Sequence, residues 1–79
     1  MSLFGVKLRW LRKSQKLTQQ ALATEFGYTS HTYLSEVEKG RKEPSVALVL
    51  AVADRFGVTT DALLRDNIRL AGEDHDAVY

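Results

Sequence analysis

From Leu3 to about Gln15 the apolar residues Phe4, Leu8 and Leu11 recur at steps of four and three, with Lys7, Arg9, Arg12 and Lys13 between them. That period lays a single apolar stripe along an amphipathic helix. Trp10 lies off the stripe and is expected to cover the core rather than offer a base-stacking platform. Gly5 inside the helix costs about 1 kcal/mol against alanine, offset either by fraying near the helix end or by close packing. Thr18 suits the cap of a second helix that turns Leu22, Ala23 and Phe26 inward. Ser30 is the next capping candidate, opening a third helix with apolar Tyr33, Leu34 and Val37 that runs to Glu38 or Lys39. Pro44 stops any helix reaching back, and Ser45 caps a fourth through Phe56. Thr59 or Thr60 caps a last helix containing Leu63, Leu64 and Ile68. Gly27, Gly40 and Gly57 read as C-terminal stops, because a left-handed residue just past a helix end is cheap only for glycine.

Five short helices with no alternating strand pattern predict an all-α domain. A chain of 79 residues holds one domain at most. Residues 1–70 are expected to form it and residues 71–79 a short, acidic, mobile tail. Cysteine is absent, which excludes disulfide staples, thiolate zinc sites and a cysteine nucleophile. The longest apolar run, Val46 to Ala53, is eight residues, against the ~20 that a bilayer span needs. The N-terminus lacks a signal-peptide pattern, so a soluble cytoplasmic protein with no membrane contact is expected.

The net charge of +1 hides an asymmetry. Residues 1–42 carry eight Lys/Arg against three Asp/Glu, or +5, and residues 43–79 carry three against seven, or −4. The first half is therefore suited to a polyanion, although small domains also show such asymmetry by chance.

The stretch Leu17-Thr18-Gln19-Gln20-Ala21-Leu22-Ala23, then Gly27, Tyr33-Leu34-Ser35, Glu38-Lys39-Gly40 and Pro44-Ser45, closely resembles the Cro and phage-repressor type of helix-turn-helix, also called the xenobiotic response element family. Phe56-Gly57-Val58 and Asp61-Ala62-Leu63-Leu64 extend the likeness over roughly residues 4–64. The resemblance implies a lambda-repressor-like five-helix bundle. Its second and third helices form the motif, and the third lies in the major groove of double-stranded DNA. The step from Gly27 to Gly40 is one residue longer than the family's usual spacing. An extra residue is thus expected among Tyr28 to Ser30, which leaves Ser30, His31 and Thr32 as alternatives for the groove-facing start of the recognition helix.

By the same resemblance His31, Thr32, Ser35 and Glu36 fall at base-reading positions. His31 can donate to a purine acceptor, Thr32 can bond a base or touch a thymine methyl, and Glu36, acceptor-only, suits the cytosine amino group. The competing reading of Glu36 is a solvated charge that pairs with Lys39 or simply faces water. Thr18 and Gln19, at the start of the second helix, and Lys13, Lys39, Arg41 and Lys42 are the expected phosphate contacts, which hold register without carrying sequence information. For Thr18 a plain capping role explains the residue equally well. Arg12 and Glu38 match positions that pair between helices one and three in relatives.

In the fourth helix Ala47, Leu48 and Ala51 stand where many relatives are polar, so apolar residues lie on more than one face. A helix apolar nearly all round needs a second buried contact. Leu48, Ala51, Leu64, Ile68 and Leu70 are the expected surface of a homodimer, with a folded-back C-terminal tail as the competing occupant. The tail segment Glu73-Asp74-His75-Asp76 has metal-ligand chemistry but reads as a solvated acidic end. No cofactor or metal is implied. His31 and His75 are the only histidines, and no phosphate loop or catalytic constellation is visible, so an enzyme is not expected. The resulting expectation is a bacterial or phage, nucleoid-associated transcriptional regulator, a repressor that binds a pseudo-palindromic operator as a dimer. The alternative is an antitoxin or a restriction-modification controller protein that also meets a protein partner, a toxin or the transcription machinery.

Overall fold

A computed structural model of the protein describes residues 3–66 and 70. Five α-helices and no strand occur among the described residues: α1 (Phe4–Ser14), α2 (Gln19–Glu25), α3 (Thr32–Glu38), α4 (Val46–Phe56) and α5 (Thr60–Leu64). Three of the helix starts are written locally. The side chains of Thr18, Ser45 and Thr59 accept hydrogen bonds from the backbone N–H of Ala21, Leu48 and Ala62 at 3.0, 3.1 and 3.0 Å. Each satisfies one donor that the first turn of a helix leaves unpaired. The start of α3 differs from expectation. It opens at Thr32, one residue later, with His31 in the cap position and no side-chain cap there. Ser30 still contributes, since its Oγ accepts from the Thr32 N–H at 3.4 Å.

The ends of α1 to α4 share one device, a left-handed residue just past the helix. After α2 and α3, Gly27 and Gly40 adopt φ of 84° and 77°. The amides of Tyr28 and Arg41 then reach back to the carbonyls of Ala23 and Glu36, both at 2.9 Å, closing the Schellman pattern. The end of α1 does the same without a glycine: Lys16 has φ 58° and the Leu17 amide donates to the Arg12 carbonyl at 3.1 Å.

α1 and α3 pack against one another, α2 crosses α3, and α4 and α1 close on α5. Phe4, Leu8 and Leu11 of α1, Leu22 and Ala23 of α2, Leu34 and Val37 of α3, Leu48 and Val52 of α4 and Leu63 of α5 meet in one core, with Trp10 partly buried against it. Gly5 is the contact point of α1 with α3. A β-carbon there would collide with the Val37 carbonyl oxygen, so close packing is what offsets this glycine.

Two expected partner contacts belong instead to the chain's own core. Leu48 is fully buried because α4 turns the row containing Leu48 and Val52 inward, and Leu70, 4% exposed, joins the same core cluster. Ile68 and the segment from residue 71 to residue 79, including Glu73 to Asp76, lie outside the described residues. No helix among the described residues is long and apolar enough to cross a membrane.

Candidate nucleic-acid interface

Between α2 and α3 the chain makes a tight turn from Gly27 to His31, and the small Ala23 and buried Leu22, Leu34 and Val37 bring the two helices together. His31 and Thr32 are exposed, and Ser35 and Glu36 are half-buried. The i, i+4 spacing of His31 with Ser35 and of Thr32 with Glu36 places the four as two neighbouring rows on one side of the helix. Both Arg41 and Lys42, just beyond Gly40, are exposed.

Glu36 pairs with neither Lys39 nor bulk water alone. Its Oε2 lies 3.7 Å from Arg41 Nη1, too long for a hydrogen bond, and that oxygen is occluded without a hydrogen-bond partner. Lys13, Lys39 and Lys42 are exposed and enter no ion pair among the described residues.

Beneath this surface is a buried polar network. Arg12 Nε donates to Glu38 Oε2 at 2.8 Å and Arg12 Nη2 to Glu38 Oε1 at 3.1 Å, a bidentate pair whose side chains are only 10% and 4% exposed. Arg12 Nη1 also donates to the Leu17 carbonyl at 2.8 Å. Gln19, expected at the phosphate backbone, is half-buried and donates through Nε2 to Glu38 Oε1 at 3.0 Å. One carboxylate thus fastens α1, α2 and α3 together. Over it opens a polar cleft of about 400 Å³ between Arg9, Arg12 and Lys13 of α1, Gln19 of α2, and Ser35, Glu38 and Lys39 of α3. The cleft gathers Lys13, Gln19, Ser35 and Lys39, and leaves Thr18 at the exposed cap and Arg41 and Lys42 beyond the helix. Arg9, an exposed cation on its rim, was not singled out by sequence reasoning, since its place beside α3 depends on how α1 is rotated.

Sequence reasoning also missed Lys7. It stands among polar positions of α1, yet it is fully buried. Its Nζ donates to the carbonyls of Ala62 and Arg65 at 2.6 and 2.8 Å, capping the end of α5. The Leu3 amide, donating to Asp66 Oδ1 at 2.8 Å, adds a second tie there.

Val46 and Leu50 of α4 and Leu64 of α5 are 77%, 52% and 48% exposed, and Ala51 of α4 is half-buried. The expected apolar surplus of α4 is therefore present, carried by Val46 and Leu50 rather than by Leu48.

A helix-turn-helix family profile matches residues 8–63. The immunity repressor protein of Bacillus phage phi105 is 33% identical over 69 residues, covering 87% of this chain and 47% of that protein. An uncharacterized HTH-type transcriptional regulator, YazB of Bacillus subtilis (strain 168), is 33% identical over 61 residues, 77% of this chain and 87% of that protein. The chain spans less than half the length of the first curated relatives it matches. Among solved structures, the SOS-response transcriptional repressor LexA from Eubacterium rectale superposes with a TM-score of 0.74 at 22% identity, over 98% of this chain and 82% of that one. At that identity the likeness is one of fold.

Proposed function

The chain belongs to the Cro/C1-type helix-turn-helix family of transcriptional regulators, and we propose that it represses transcription by binding a pseudo-palindromic operator in double-stranded DNA as a homodimer. The observation that carries this reading is the polar face of α3. His31, Thr32, Ser35 and Glu36 stand in two rows there, flanked by the exposed cations Lys39, Arg41 and Lys42. Such a face presents donors and acceptors to base edges while the cations meet the phosphates on either side. Glu36, an acceptor-only side chain on this face, is assigned to a cytosine amino group. Lys13, Gln19 and Lys39 around the polar cleft, with Thr18 at the α2 cap, take the phosphates on one flank, and Arg41 and Lys42 those on the other. The sign of regulation follows the phage immunity repressor.

The exposed face of Val46, Leu50 and Leu64 is assigned to the second copy of the chain. A two-fold dimer sets half-sites ~10–10.5 bp apart. With four cations per subunit at phosphates, log K falls against log salt with a slope of about −7. The same apolar face supports a second reading, in which it docks a different protein, as an antitoxin or a controller protein would require.

Selection from a random duplex pool at two salt concentrations tests the proposal, with Thr32→Ala and Arg41→Ala beside the parent. A palindromic consensus is expected, altered in base preference by Thr32→Ala and weakened uniformly by Arg41→Ala. Absence of any enriched sequence, with no binding even at low salt, would leave the motif as a protein-binding scaffold.

A further inference from the structure

We infer that Tyr33 is a positioning residue whose hydroxyl clasps the loop carrying Arg41 and Lys42 to the recognition helix. The inference rests on the DNA-binding reading and deepens it. The loop between α3 and α4 is fastened at two points. At its start, the amides of Arg41 and Lys42 both donate to the carbonyl of Glu36, at 2.9 and 3.4 Å. At its end, the Tyr33 hydroxyl accepts from the Ser45 N–H at 2.8 Å and donates to the Glu43 carbonyl at 3.3 Å. The hydroxyl uses both its donor and its acceptor capacity and bridges across Pro44, which has no N–H of its own to offer.

Both anchors lie on α3, within one turn of the residues assigned to base edges. Arg41 and Lys42 sit between the two anchors, so their backbone moves with the recognition helix rather than independently of it. Binding to phosphate then orders two long side chains but not the loop that carries them, and ordering a loop is a cost that binding would otherwise have to meet. The ring of Tyr33 is itself held, edge to face, by Tyr28 in the turn between α2 and α3, with centroids 5.5 Å apart and planes at 62°. One side chain therefore links the turn, the recognition helix, the basic loop and the cap of α4.

Tyr33→Phe tests this, because it keeps the ring and its contact with Tyr28 and removes only the hydroxyl. Affinity for the selected operator is expected to fall about tenfold, the scale set by two lost hydrogen bonds. The loss should be equal across operator variants, and the slope of log K against log salt should become shallower. In a background already carrying Arg41→Ala and Lys42→Ala, Tyr33→Phe should have no further effect on affinity, which a general loss of stability would not reproduce. Hydrogen exchange of the Ser45 amide in the free protein should accelerate in Tyr33→Phe and stay as in the parent for Arg41→Ala. Operator binding by Tyr33→Phe within twofold of the parent, an equal loss in the doubly substituted background, or unchanged Ser45 exchange would each overturn the inference while leaving the DNA-binding reading intact. A parent that binds no duplex overturns that reading, and the loop's role toward phosphate with it.

Discussion

Removing the carboxylate of Glu38 should come close to unfolding the domain. Glu38 is 4% exposed at its side chain and accepts from two donors of Arg12, itself 10% exposed, at 2.8 and 3.1 Å. It accepts a third bond from Gln19 at 3.0 Å. In Glu38→Ala the guanidinium keeps only the Leu17 carbonyl, at 2.8 Å, and stays buried with its charge uncompensated. Breaking a buried pair from one side costs about 3–5 kcal/mol. At ~0.05–0.15 kcal/mol per residue, a chain of 79 residues has a total stability of ~4–12 kcal/mol, so the loss is a large fraction of the whole. At 4–8 °C per kcal/mol for a domain of this size, the midpoint should fall by at least ~12 °C. Thermal and urea unfolding followed by circular dichroism reads it directly. The companion double variant Arg12→Met with Glu38→Leu should recover most of the loss, because it removes both charges rather than stranding one. A Glu38→Ala midpoint within ~2 °C of the parent would mean instead that water reaches the guanidinium and that the pair contributes nothing net.

Gly5→Ala puts a β-carbon onto the Val37 carbonyl, so it should lower stability by about 1–3 kcal/mol in urea titration despite alanine's better helix propensity. Lys16→Gly removes a side chain from a φ of 58° and should raise stability by ~0.5–1 kcal/mol in the same assay, with operator affinity unchanged. Lys7→Met keeps the volume but leaves the Ala62 and Arg65 carbonyls without their donor, costing about 1–3 kcal/mol. Leu50→Glu, at a position 52% exposed, should leave the melting midpoint of the monomer within ~2 °C while abolishing self-association in sedimentation. Unchanged association would move the dimer contact off α4.

Local devices were legible in the chain itself. The caps Thr18, Ser45 and Thr59 and the stops Gly27, Gly40 and Gly57 act on backbone groups only two to five residues away, so neighbouring residues suffice to infer them. The apolar stripes of α1 to α3 and the pairing positions Arg12 and Glu38 were equally readable, the former from period and the latter from family resemblance. Other features depend on how each helix is rotated and on what lies across from it, which no short window of sequence contains. Rotation of α4 buries Leu48 and leaves Val46 and Leu50 outside. Docking of α1 on α5 makes Lys7 a buried cap rather than a solvated cation. The same long-range placement gives Gln19 to Glu38 and the Tyr33 hydroxyl to the basic loop. It also holds Lys16 in a left-handed backbone, because Arg12, fixed by Glu38, binds the Leu17 carbonyl through its side chain and the Leu17 amide through its carbonyl.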